Sequence, residues 1–365
     1  MVYPKTFQGF AITDLSKWTE TELIEYEPKV FDDYDVDIKI DACGICGSDV
    51  HTASSGWNTP ALPLVVGHEV VGKVVAVGPK VTEFKVGDRV GCGAQVWACL
   101  KKTCPACSTD NEVYCPHWVD TYNCTYPPES GKSAGGKAMG GYASHIRVHE
   151  YFTFHIPESL KNEDVAPMLC AGITTYSPLV RNGAGPGVKV GCVSIGGLGH
   201  FAIMWAKALG AEVYVFSRGE KKREDAFKLG ADHYIATGEK GWNEPIKMKL
   251  DFIVSSANSS EGFDLGSYLS CLKVGGKFIS VGLPEKPFNV GPGSFIANAS
   301  SLSSSHLGSR PEMKEMLKLA AEKGIKAWNE PIAISAAGVK EGLEKCHHNN
   351  VKYRVVLNEF DKAFD

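Results

Sequence analysis

A two-domain α/β architecture is predicted for this 365-residue chain on three observations. The length suits two domains at roughly 100 to 200 residues each. Up to about residue 155 the sequence reads as short strands broken by Gly, Pro and Asp, the texture of a compact, β-rich, barrel-like domain. From Val188 onward, short β-branched runs alternate with helical stretches, which is the signature of a parallel sheet covered by helices.

Composition narrows the function classes. With 44% hydrophobic and 22% charged residues the chain fills sizeable cores and is not disordered. Its 38 Lys and Arg against 42 Asp and Glu leave a net charge of -4, so nothing points to nucleic acid or an anionic membrane surface. Met1 to Trp18 lack the charged and apolar regions of a secretory signal, and no apolar run is long enough to span a bilayer. A soluble, cytoplasmic protein with small-molecule partners is the expectation.

In chain order, Val36 to Ile40, Val70 to Val77 and Val86 to Cys92 are the strands predicted for the first domain. Gly131 to Gly141 is glycine-rich and expected to be a mobile loop. Strands follow at Val188 to Val193, Glu212 to Phe216, Asp251 to Ser255 and Lys277 to Val281, with helices at Phe201 to Leu209 and Pro311 to Lys323. Lys352 to Leu357 is a late strand able to return to the first domain.

Twelve cysteines, eight of them between Cys43 and Cys124, read in a reducing compartment as metal ligands and buried thiols rather than disulfides. Cys99, Cys104, Cys107 and Cys115 supply the four thiolates of a closed, tetrahedral structural zinc site. A second group is Cys43-Gly-Ile-Cys46-Gly-Ser-Asp-Val-His51 followed by Gly67-His68-Glu69. Its Cys-x-x-Cys alone fits a redox pair or half a structural site. With His68 it offers a thiolate and an imidazole in a shell that is not closed, and an open position is what a catalytic zinc requires.

After the strand ending at Val193, Ser194-Ile-Gly196-Gly197-Leu198-Gly199-His200 runs into an apolar helix. A strand, tight turn and helix place a pyrophosphate against helix N-terminal amides. Ser194 stands where the glycine pattern has its first member. At the end of the second strand, where an NAD-binding fold carries an acid, the chain reads Ser217-Arg218-Gly-Glu-Lys221-Lys222-Arg223. A hydroxyl and cations hold a 2′-phosphate that a carboxylate repels, so NADP is the expected dinucleotide. The bland alternative is a solvated, basic helix start.

These motifs, in this order, resemble the zinc-dependent medium-chain alcohol dehydrogenases, and most closely the cinnamyl alcohol dehydrogenase branch with its fungal NADPH-dependent members of broad specificity. The likeness covers essentially the whole chain, including Tyr176 to Asn182, Lys222 to Asp225, Gly230 to Ile235 and Tyr353-Arg354. It implies a GroES-like catalytic domain at residues 1–161 and 304–365, with a Rossmann domain inserted at 162–303. It also implies that Cys170 joins Cys46 and His68 as the third ligand of a catalytic zinc, with Glu69 a transient one. By the same likeness Ser48 takes the alcohol proton, His51 passes it on, and Asp49 orients His68. Thr174 touches the nicotinamide and Arg354 reaches a cofactor phosphate, beside Gly196, Gly197, Leu198, Gly199, Ser217, Arg218 and Lys222.

The implied activity is reversible hydride transfer between NADP(H) and primary alcohols or aldehydes, aromatic and medium-chain, with aldehyde reduction favoured, two zinc ions per chain and a homodimer. A polyol dehydrogenase and a non-catalytic nucleotide-binding zinc protein are the alternatives. Family members space the structural lobe with two residues between cysteines, whereas Cys99 and Cys104 are separated by four. Trp57, Trp97 and Trp118 either line an apolar substrate pocket or are core aromatics.

Overall fold

The computed structural model describes residues 5–364. The chain divides into two compact units, Met1–Cys170 with Gly308–Asp365, and Ala171–Leu307.

The first unit is organised by the long strand Asp35–Ile45, in which Val36, Ile38 and Ile40 alternate into the core. It pairs antiparallel with Val70–Val77 through two register shifts, which bend the sheet, and on its other side with His145–His149 and Arg354–Asn358. Arg89–Cys92, Thr153–His155 and Asn329–Ala333 complete this seven-stranded sheet. The late strand thus returns to the first domain, setting Val355 opposite Ile45 and Leu357 opposite Cys43. The predicted strand from Val86 begins later, at Arg89, because Gly87 turns the chain at φ +95.

Two carboxylates that alternation also buries on this strand are neutralised. Lys29 donates to Asp35, and Arg147 grips Asp37 through both oxygens at 2.8 Å. Lys29 also donates to Ser133 Oγ at 3.0 Å, and Lys132 pairs with Asp33 at 2.8 Å. Together with pairing of Cys124–Thr125 to Lys137–Ala138, these bonds tie down the glycine-rich segment that was expected to be mobile.

His145 and His149 sit on the sheet with their rings stacked on Phe7 and Tyr34. Burial pushes both imidazoles from 6.5 down to about 4, so the folded chain holds them neutral near pH 5. Between pH 6.5 and 4 the unfolded chain binds protons that the folded one does not, so their contribution is complete above that window and is lost as pH falls through it. His149 Nδ1 accepts from Tyr151 N at 3.1 Å. His149→Asn, which keeps an acceptor there, is expected to flatten the fall in stability by up to about 1.4 kcal/mol per pH unit. Urea titrations from pH 7 to 4.5 measure it, and an unchanged slope would remove His149 from the account.

The second unit is a six-stranded, fully parallel sheet in the order His233–Ala236, Glu212–Ser217, Lys189–Val193, Leu250–Ser255, Leu272–Ser280, Ser301–Ser304. Its central strands are buried on both faces, as their unbroken β-branched runs require. The chain leaves Lys189–Val193 toward one edge and later fills the other from Leu250–Ser255, so the order reverses at the carboxyl end of Val193. That reversal is where doubly wound sheets bind nucleotides. The helix Gly199–Ala208 is buried along most of its length, and Trp205 Nε1 donates to Gly172 O at 3.1 Å. No helix among the described residues is long and apolar enough to cross a membrane.

Candidate functional site

Cys46 follows the long strand and caps the helix Gly47–Ala53, its backbone N–H held by Asp49 Oδ2 at 2.8 Å. His68 follows Gly67, whose φ of +102 and proximity to the Tyr142 ring, 2.5 Å from where a Cβ would stand, admit only glycine. His68 Nδ1 meets Asp49 Oδ1 at 2.9 Å, and Nε2 lies 3.1 Å from Cys170 Sγ. Asp49 therefore holds the proton on Nδ1 and leaves Nε2 facing the sulfurs. Ligand atoms of Cys46, His68, Glu69 and Cys170 all lie within 4.8 Å of one another, and all four residues are buried.

The electrostatics suit a cation. Hydrogen bonding from Cys170, reinforced by Arg354 and His68, holds the Cys46 thiol well below its ordinary range. Burial pushes Glu69 up to about 8, although Arg354 opposes this. Arg354 donates to Glu69 Oε1, while Glu69 Oε2 and Arg354 Nε have no hydrogen-bond partner among the described residues. Two soft thiolates, an imidazole with a fixed tautomer and an uncommitted carboxylate oxygen are a donor set that fits zinc. Arg354, expected at a cofactor phosphate, is placed by the structure against Glu69.

A second cluster joins Cys99, Cys104, Cys107 and Cys115, with sulfurs again within 4.8 Å. Cys99 Sγ lies 3.8 Å from Cys107 Sγ and 3.5 Å from Cys115 Sγ, so its wider spacing does not keep it out. Leu100, at φ +49, turns the extra residues back. The Cys107 N–H draws Cys104 down to about 7. Four converging thiols, with no other donor type in the group, fit a closed structural zinc shell.

Ser48, in the first turn of the helix, lies 3.7 Å from Cys46 Sγ. His51, three residues on, stacks on Trp57 with ring centroids 4.8 Å apart and planes at 14°. Trp97 is packed in the main core of its unit and Trp118 against the four-cysteine lobe, so Trp57 is the tryptophan that meets a candidate catalytic residue.

In the second unit Ser194 adopts φ +76, the left-handed conformation for which glycine is the ordinary choice. Ser194 O would stand 2.1 Å from a Cβ on Gly199, so the turn and the helix start pack backbone to backbone. The turn keeps its shape and Ser194 carries the strain. Ser194→Gly is expected to stabilise the protein by about 0.5 to 1 kcal/mol, the left-handed penalty less glycine's entropy, while Ser194→Ala gains nothing. Urea midpoints of the two variants test this, and equal midpoints would count against strain at Ser194.

Ser217 ends its strand, Arg218 is exposed, and Lys222 donates to Ile195 O in the glycine turn. Burial, then Arg218, lowers the Lys222 ammonium pKa. Thr174 is buried in the helix Ala171–Arg181.

Comparison with known proteins accords with these two sites. Residues 32–158 match the alcohol dehydrogenase GroES-like domain, and residues 197–322 match the zinc-binding dehydrogenase domain. NADP-dependent alcohol dehydrogenase 6 of Saccharomyces cerevisiae is 47% identical over 366 residues, spanning 100% of this chain and 99% of that protein. The chain belongs to the zinc-dependent medium-chain alcohol dehydrogenases. A cinnamyl alcohol dehydrogenase of Sorghum bicolor superimposes with a TM-score of 0.89 at 35% identity, covering 97% of this chain and 98% of that one. The cinnamyl alcohol dehydrogenase of Helicobacter pylori, solved with NADP(H), does so at 0.86 and 34% identity, over 97% and 98%.

As a member of this family the chain is an oxidoreductase of alcohols and aldehydes, built from a GroES-like and a Rossmann domain. Sequence reasoning missed two tyrosines that this alcohol dehydrogenase sets around His68. Tyr142 OH donates to Asp49 Oδ2 at 3.1 Å, and the Tyr122 ring lies 5.5 Å from His68. Gly140-Gly141 before Tyr142 was a signal of close backbone approach, but it does not say to what.

Proposed function

We propose that this chain catalyses reversible hydride transfer between NADP(H) and primary alcohols or aldehydes, aromatic and medium-chain, with aldehyde reduction favoured. The observation that carries it is the buried convergence of Cys46, His68 and Cys170, backed by Asp49 on His68. Those three side chains would hold the catalytic zinc, and the four-cysteine lobe the structural one. When bound, zinc supplies Lewis acidity to the substrate oxygen, and the nicotinamide carries the hydride.

The chain's own residues do the rest. Ser48, beside Cys46, takes the proton of the alcohol or returns it to the product of aldehyde reduction. His51 passes that proton toward solvent, with Trp57 stacked on its ring to fix it. Asp49 keeps the His68 tautomer that presents Nε2. Arg354 holds Glu69 through one oxygen and leaves the other available as a transient ligand, an arrangement that supports this role and leaves contact with a cofactor phosphate as a further one. Gly196, Gly197, Leu198 and Gly199 bring backbone N–H groups to a pyrophosphate, Ser217, Arg218 and Lys222 face the adenosine ribose, and Thr174 adjoins the nicotinamide.

This reading assigns zinc chemistry to the unit made from both chain ends and cofactor binding to the inserted unit. It includes a cytoplasmic location, because thiolate ligands need reduced cysteines. It also includes a homodimer, supported by the edge strand Ser301–Ser304, exposed along its length, Leu302 included. NADPH oxidation over a panel of aldehydes, with metal counted in the same preparation, tests the whole. Turnover with two zinc ions per chain is expected, whereas bound nucleotide with no turnover on any aldehyde would make it a binding protein.

A further inference from the structure

Asp49 is fully buried, and its carboxylate is gripped from three parts of the chain. Oδ1 accepts from Gly67 N at 3.2 Å and from His68 Nδ1 at 2.9 Å, whereas Oδ2 accepts from Cys46 N at 2.8 Å and from Tyr142 OH at 3.1 Å. A carboxylate offers about four lone-pair sites, so each of these donors has its own. The Tyr122 hydroxyl bears on the same carboxylate and is shared with Thr52. Cys46, Gly67 and His68 belong to the two segments that supply metal ligands, and Tyr142 comes from a third.

That third segment is fastened to the loop before His68. Gly140 N donates to Val65 O at 2.8 Å, Gly141 N to Gly67 O at 2.7 Å and Tyr142 N to Val66 O at 3.0 Å. Side chains would forbid this approach, because a Cβ on Gly140 would stand 2.5 Å from Val66 O and one on Gly141 2.4 Å from Val70 Cγ2. The Tyr142 ring fills the space that Gly67 leaves for it, and Tyr142 O accepts from Phe10 N at 2.9 Å on the other side. Backbone and ring are thus held independently of the hydroxyl. Tyr142 is fully buried, and a buried phenol needs an acceptor, which Asp49 supplies.

We propose that Tyr142 is a positioning residue of the reaction centre, whose hydroxyl steadies the Asp49 carboxylate that aims His68 Nε2 and so governs how firmly the centre holds its metal. The proposal rests on the reading of Cys46, His68 and Cys170 as that centre. Outer partners of a metal-bound imidazole fix its orientation, and losing one costs about 10- to 100-fold in affinity or activity. Tyr142 stands one bond further out, so the low end of that range applies. Its loss would also leave more charge on Asp49, which strengthens His68 as a donor. Aim outweighs that gain, since three other donors still share the charge, while hydrogen bonds weaken steeply once misaligned.

The test is Tyr142→Phe in the zinc-loaded enzyme, a change that keeps the ring against Gly67 and removes only the hydroxyl. Zinc release to excess chelator, followed by metal analysis, reads both sites in one protein. The ion held by Cys46, His68 and Cys170 is expected to leave about tenfold faster than in the wild type. The ion of the four-cysteine lobe, which shares no residue with that group, is expected to leave at its wild-type rate. In steady state kcat is expected to fall about threefold to tenfold with KM for NADPH unchanged, since the glycine turn belongs to the other unit. A residue that merely supports the fold would lower the melting temperature or loosen both ions together. Release of the catalytic ion at the wild-type rate, or equal acceleration of both ions, overturns the proposal whatever the melting temperature. Should Tyr142→Phe not fold, Tyr142→Met, with a flexible apolar chain and no hydroxyl, takes the same measurements. Failure of the underlying reading shows separately, as a Cys170→Ser protein that keeps both zinc ions and oxidises alcohols.

Discussion

Replacing Cys170 by serine is expected to leave one zinc ion per chain and to lower kcat/KM by at least about 10³, with the fold intact. Cys170 Sγ is buried, 3.1 Å from His68 Nε2 and within 4.8 Å of Cys46 and Glu69, so no other described thiol replaces it in that group. A serine hydroxyl does not supply the soft thiolate, and the ion's charge stabilisation is worth several kcal/mol, about a factor of ten for each 1.36. The lobe of Cys99, Cys104, Cys107 and Cys115 shares no residue with this group, so its ion stays. Cys104→Ser is expected to do the reverse, losing the other ion together with much of the stability of the surrounding loops, which contain little regular structure. Metal analysis beside steady-state rates and melting curves separates the two sites. A single ion in wild-type protein, or Cys170→Ser activity near wild type, would dismantle the two-site assignment.

How these residues were found differs, and the difference is physical. The four-cysteine lobe and the Cys46 segment were legible because their donors are close in sequence, and local spacing limits what a short loop can bring together. The parallel sheet was legible because strands buried on both faces announce themselves as unbroken β-branched runs. Cys170 lies far from Cys46 and His68 in sequence, and in composition alone it is one more thiol in an apolar segment, so only likeness to a family pointed to it. Tyr142 carried no such signal, since its hydroxyl meets Asp49 through a contact distant in sequence. The Gly131–Gly141 segment misled for a related reason. Glycine content reports local freedom, while Lys29 and Lys132 tether the segment by contacts distant in sequence. Ser194 departs from the glycine pattern, yet the turn is conserved in shape at the cost of a left-handed serine.

The adenosine end of the cofactor site carries the other large expected effect. Of the cations after the second strand, Arg223 is bound to Glu220, with Nη2 to Oε1 at 2.9 Å, and covers the Tyr234 ring, while Lys222 is turned to Ile195 O. On the proposed reading Ser217 at the strand end and exposed Arg218 are the first groups to meet a ribose 2′-phosphate, with Lys222 behind them against the glycine turn and Lys221 exposed beside it. Charge-assisted hydrogen bonds of this kind contribute about 1.5 to 3 kcal/mol each, less where solvent screens them as it does at Arg218. Two such contacts give a preference for NADPH over NADH of roughly a hundredfold, since each 1.4 kcal/mol is about a factor of ten. Ser217→Asp with Arg218→Ala replaces the hydroxyl by a charge that repels phosphate and removes the guanidinium, while the new carboxylate suits a free 2′-hydroxyl. The paired variant is therefore expected to bring the two cofactors to parity or to favour NADH, a shift of about a hundredfold or more in the ratio of kcat/KM. Because exposed charges are screened, both cofactors are measured at one ionic strength, and raising the salt should narrow the wild-type ratio but not that of the variant. Equal kcat/KM for NADPH and NADH in the wild type would refute the 2′-phosphate assignment while leaving the zinc sites untouched.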